Sequence, residues 1–181
     1  LLGESVFFLL DSDTRIDAAT SHAISLSDGA QVVNFGTVQV ESEGAGVFVN
    51  SVDTGTVFNN GEITGGTSAV LLEDSSNISV TNLGTLNAGL EGSFNAGIRA
   101  FQTHSLAIDN QGIINAGGPN DVGIFIIGVS DGVTGLDINN RGVINATGED
   151  TEAIIVVNAP ELNLFNDDAI WASGDRAHSV E

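Results

Sequence analysis

Two stretches decide the fold: Ile108-Asp109-Asn110-Gln111-Gly112-Ile113-Ile114-Asn115-Ala116 and Ile138-Asn139-Asn140-Arg141-Gly142-Val143-Ile144-Asn145-Ala146. Both read apolar, x, Asn, x, Gly, x, apolar, x, small. Val80–Ala88 keeps the same frame, as do Val57–Gly65 and Val32–Val40, and two looser copies flank them, Leu10–Ala18 and Leu164–Ala172. With the glycine as marker, Thr14, Gly36, Gly61, Gly84, Gly112, Gly142 and Asp168 follow one another at intervals of 22, 25, 23, 28, 30 and 26 residues. A constant motif on a variable period means that strands repeat while a connection changes length, which is how stacked coils accept insertions.

Each motif is followed by a second alternating stretch that begins with a small residue: Ala23, Gly46, Ala69, Gly97, Gly123, Ala153 or Ala177. The period of two assigns inward columns. One runs Ile16, Val38, Ile63, Leu86, Ile114, Ile144, Ile170, and another Ile24, Val47, Val70, Ile98, Ile124, Ile154, His178. β-Branched residues dominate both, as a pleated stacked surface prefers. The Asn-x-Gly between the motif halves reads as a bend that exploits the tolerance of Gly and Asn for positive φ. The predicted fold is all-β: a single-stranded parallel β-helix, or β-solenoid, of about seven coils over residues 1–181, one segment of a longer repeat chain. An antiparallel sandwich would not return the same unit in the same order.

Composition narrows the function classes. Lys+Arg number 4 against 24 Asp+Glu, for a formal net charge of −20. That surface repels nucleic acid and anionic membranes. Cysteine is absent, so disulfides and thiolate metal sites are excluded. No apolar run reaches the length of a spanning helix. The opening Leu1–Leu10 lacks the basic start and small-residue cleavage site of a signal peptide and reads as a strand.

The five clear copies, each followed by a small-residue-led strand, resemble the passenger regions of bacterial autotransporters and, more broadly, filamentous surface adhesins. The resemblance covers about Leu10 to Val180. It implies a right-handed β-helix, export across the outer membrane, and an extracellular or cell-surface location. A signal peptide and a translocator barrel, which that family carries, are not in this sequence.

The polar and outward columns hold the candidate site residues. Asn34, Asn59, Asn82, Asn110, Asn140 and Asn166, with Ser12 in the first coil, read as a stacked amide ladder that satisfies bend groups. A second polar column, Asp17, Gln39, Thr64, Asn87, Asn115, Asn145 and Trp171, should face solvent and offers a sugar contact at Trp171, the one tryptophan. On the second strand, Phe48, Leu71, Phe125 and Ile155 share an outward column with Ser25, Arg99 and Ser179, a stripe that a loop or a partner would cover. Asp11-Ser12-Asp13 and Asn166-Asp167-Asp168 are oxygen-rich bends that suit solvated turns better than calcium. Asp109, Asp137, Glu149, Asp150 and Glu152 form no repeated carboxylate pair of the glycosidase type. His22, His104 and His178 do not align, although His178 falls in an inward column, where it reads as an edge residue or a pH-sensitive cap.

These features point to a non-enzymatic, structural or adhesive surface module without a resident cofactor. Its partners would be a host or matrix glycan or protein, or further copies of itself. A carbohydrate-active enzyme fragment and a self-assembling filament subunit are the alternatives.

Overall fold

The computed structural model describes residues 6–89, 94–128, 135–159 and 161–180. Leu1–Ser5 and Pro160 lie outside them. Among the described residues every regular element is a strand, and every pairing is parallel.

The chain winds through three sheets in turn, and each sheet collects one strand per rung. Sheet A holds Phe7–Leu10, Gln31–Asn34, Gly55–Asn59, Ser76–Asn82, His104–Asn110, Leu136–Asn140 and Leu162–Asn166. Sheet B holds Arg15–Ala18, Thr37–Val40, Glu62–Thr64, Thr85–Ala88, Ile113–Ala116, Val143–Thr147 and Ala169–Ser173. Sheet C holds Ile24–Leu26, Ala45–Asn50, Ser68–Glu73, Ala96–Phe101, Val122–Ile127, Glu152–Val157 and His178–Val180. Seven rungs stacked in this way make a β-solenoid of about six turns.

Like stacks on like. Ile114 lies opposite Ile144, and Leu86 opposite Ile114. Val38, Ile63, Leu86, Ile114 and Ile144 are all at 0% exposure. In sheet C, Val47, Val70, Ile98, Ile124 and Ile154 form the matching column, and all are buried. A coil alone would leave these side chains wet. Stacking buries each one, a gain of about 1.5–3 kcal/mol per Val, Leu or Ile.

The Asn-x-Gly segment turns the chain from sheet A into sheet B. Its glycines are needed for a reason other than positive φ. None of Gly36, Gly61, Gly84, Gly112 or Gly142 takes a left-handed φ. Instead, a Cβ built on Gly112 would lie well under 3.0 Å from the carbonyl oxygen of Gly84, and one on Gly142 would crowd the carbonyl oxygen of Gly112 in the same way. The bend of one rung rests on the backbone of the bend before it. The main-chain asparagine oxygen completes the contact, because Asn34 O accepts from both Asn60 N (2.7 Å) and Gly61 N (3.1 Å).

Left-handed residues stand at the other corners. Ser51, Asp74, Gln102, Gly128 and Asn158 all have positive φ at the ends of successive sheet C strands. Each of the first four donates its N–H to the carbonyl that ends the next sheet C strand, as from Ser51 to Glu73. Pro119 sits in a turn between sheets B and C, where no ladder bond is lost.

Two registers differ from the sequence expectation. In the first rung Phe8 pairs with Val32 and Leu10 with Asn34, so Leu10 and not Ser12 fills the asparagine column. Arg15 still pairs with Thr37, so the first bend simply carries two more residues than the others. In the last rung His178 pairs with Glu152 and Val180 with Ile154. Val180 therefore takes the inward column and His178 lies outside it, exposed. The shift also removes Ala177 and Ser179 from the columns assigned to them.

Candidate functional site

The six ladder asparagines occupy one column at the sheet A exit. Asn34 donates from Nδ2 to Asn59 Oδ1 at 2.8 Å, Asn59 to Asn82 at 2.8 Å, and Asn82 to Asn110 at 2.8 Å. Asn110 then donates to Asn140 and Asn140 to Asn166, each at 2.7 Å. Every donor points toward the next rung. The amides of Asn34, Asn59, Asn110 and Asn140 also hold the carbonyl of their own bend glycine. Asn34, Asn59, Asn82, Asn110 and Asn140 are at 0% exposure, so a ligand has no access to them. Leu10 starts the column and is itself buried. It strands no donor, because the ladder's N–H groups all face away from it.

A second amide row lies outside, on sheet B. Gln39, Thr64, Asn87, Asn115, Asn145 and Trp171 stand in register. Here the donors point backwards. Asn145 Nδ2 donates to Asn115 Oδ1 at 3.1 Å and Asn115 to Asn87 Oδ1 at 2.9 Å, while Asn87 reaches Glu62 Oε1 at 2.9 Å. At the near end Arg15 donates to Gln39 Oε1 at 2.9 Å and pairs with Asp17. The hydrogen bond to Asp17, with its charge, raises the Arg15 pKa. At the far end Trp171 is 62% exposed.

The sheet C stripe runs through Ser25, Phe48, Leu71, Arg99, Phe125 and Ile155, each opposite the next. Phe48, Leu71, Phe125 and Ile155 are half-buried. A neighbouring outward file adds Phe101, Ile127 and Val157. Arg99 stands over two rings, 4.8 Å from the Phe101 centroid and 5.7 Å from that of Phe125, and the rings themselves meet edge-on at 5.9 Å. Its Nη1 donates to Phe94 O, and its Nε is buried without a partner among the described residues. Burial lowers the Arg99 pKa, with Glu73 opposing. The stripe was legible in the sequence. The cluster of Arg99 with the two rings was not, since it needs two adjacent files at once.

The remaining candidates are engaged locally. Asp11 Oδ1 accepts from Thr14 Oγ1 at 2.7 Å, closing its turn, and Asn166 Nδ2 holds Asp168 O. Among the described residues no group of three or more acidic or histidine side chains converges to hold a metal ion. Asp109 binds Gln111 and Arg141, Asp137 accepts from Asn163, and Glu149 and Asp150 share Arg176. His22 Nδ1 accepts from Ala45 N at 3.0 Å, and its ring stacks on Phe48 at 4.1 Å.

Comparison with family models, with curated proteins and with solved structures finds no match.

Proposed function

We propose that this chain is a rigid β-helical stalk segment of a secreted or cell-surface adhesive protein, built on the plan of an autotransporter passenger. The observation that supports the reading most is the unbroken amide ladder running through six rungs, buried in five of them, beside continuous columns of Val, Leu and Ile. Such a rod resists bending because each rung is bonded to the next on three sides. Seven rungs at roughly 4.8 Å span on the order of 30 Å, a useful increment of reach. The excess of acids keeps neighbouring rods apart and soluble. In this role the outward faces of sheets B and C carry the contacts with a host or matrix surface.

The test is labelling of intact source cells with an antibody raised against the folded chain. Bright labelling without permeabilisation, or the chain in the culture medium, is the expected result. Signal that appears only after lysis overturns the reading.

A further inference from the structure

We propose that the outer face of sheet B, from Asn115 through Asn145 to Trp171, binds a neutral glycan chain. This rests on the adhesive role proposed above and gives it a ligand class and an address. Trp171 points outward between the inward Ile170 and Ala172, opposite Asn145. It stands on the last sheet B strand of the described residues, makes no hydrogen bond or ring contact among them, and is 62% exposed. A bare indole beside a polar row is a flat apolar platform with one free N–H donor, the combination a sugar ring and its hydroxyls match.

The amides next to it are already oriented. Asn145 Nδ2 is held on Asn115 Oδ1, and Asn115 Nδ2 on Asn87 Oδ1. One hydrogen of each amide is used in that way, and the other makes no hydrogen bond among the described residues. Asn145 Oδ1, the last acceptor of the row, receives no hydrogen bond among the described residues and lies on the Trp171 side. Because the side chains are fixed before binding, a ligand loses little of its gross interaction to ordering them. A second outward file flanks the amides, with Ile113 at 40% exposure and Val143 half-buried. The face is thus amphipathic in the sense a sugar is: hydroxyls meet amides, and ring C–H groups meet Ile113, Val143 and Trp171. Rungs recur at roughly 4.8 Å, close to the advance per residue of an extended hexose chain, so a polymer running along the axis meets one amide per unit.

Charge selects the class. Glu62 lies on this sheet and the whole chain carries −20. An acidic polysaccharide approaches against that field, whereas a neutral one does not.

The chain contains one Trp and no Tyr, so its emission reports this site alone. Cello-, xylo- and malto-oligosaccharides, with an oligouronate as the charged control, are titrated into the protein. The expected result is a saturable change in Trp171 emission with at least one neutral oligomer, none with the oligouronate, and binding about tenfold weaker in Asn145→Leu. Affinity electrophoresis of Trp171→Ala in the same glycan checks the ring, with circular dichroism confirming that both variants fold. No emission change with any neutral oligomer overturns the proposal. So does an equal response to the oligouronate, or full affinity in a folded Asn145→Leu. A negative result here, with intact cells still labelled, removes the glycan and leaves the stalk. Binding with labelling only after lysis does the reverse.

Discussion

Asn110→Asp replaces one ladder amide by a group of the same shape and reverses half of its bonding. Asn110 accepts from Asn82 Nδ2 at 2.8 Å and donates to Asn140 Oδ1 at 2.7 Å, at 0% exposure. The ionised side chain of the variant keeps the first bond. It turns the second into a carboxylate oxygen facing a carbonyl oxygen with no proton between them. The neutral acid restores that proton, so folding favours the protonated form and raises the pKa. Taking about three units for a buried carboxyl without a counter-ion, at about 1.4 kcal/mol each, the ionised variant loses about 4 kcal/mol at pH 7. Because the folded value is raised, the penalty is nearly absent below the unfolded value of about 4 and grows as pH rises from there toward the folded value. At pH 4 it is under about 1 kcal/mol. Urea denaturation followed by far-ultraviolet circular dichroism measures this, with wild type run at both pH values. At an m-value of about 2–3 kcal/mol/M, the gap between variant and wild-type midpoints is about 1–2 M at pH 7 and a small fraction of that at pH 4. An Asn110→Leu control strands the same acceptor at every pH, so its gap does not change. An Asn110→Asp gap that is equal at the two pH values refutes the reading that Asn110 donates a buried hydrogen bond to a neighbouring amide.

Two further outcomes follow from the same structure. Gly112→Ala places a methyl well under 3.0 Å from a backbone oxygen and should prevent folding or cost several kcal/mol, whereas Gly117→Ala, whose nearest neighbour would be 3.9 Å away, should shift the urea midpoint by less than about 0.3 M; equal midpoints would mean that the bends do not rest on each other. Raising NaCl from about 20 to about 500 mM should raise the melting temperature, because it screens a net charge of −20, and a flat or falling trend in calorimetry would count against self-repulsion as a destabilising force here.

Stacking was legible in the sequence because the same side-chain types return at the same place in each coil. Ile114 and Ile144, or Asn110 and Asn140, fall in one column on the motif alone. The first and last rungs were not legible in this way. Leu10 stands where Asn is expected, and two extra bend residues hide the offset. Counting from a small residue misplaces His178, because corner length is free to vary and a count across the corner fails. The purpose of the bend glycines was also out of reach, since the atom that excludes a Cβ belongs to the preceding rung. The left-handed corners are filled by Ser51, Asp74 and Gln102 as well as by Gly128 and Asn158, so composition gives no common signal there. At the sheet B site, Trp171 and the amides stood out by type. That Asn145 ends its row with an unused acceptor is visible only in the bond directions.

The one-way donation along the buried asparagines gives the rod an arrow. A coil turned upside down would set N–H against N–H on one flank and oxygen against oxygen on the other. Extra coils can therefore be spliced in only head-up, each offering a proton above and a lone pair below. Tandem duplication of a stretch of gene does this automatically, and inversion never does. The chemistry of one amide thus fixes which rearrangements can lengthen such a protein and which would destroy it.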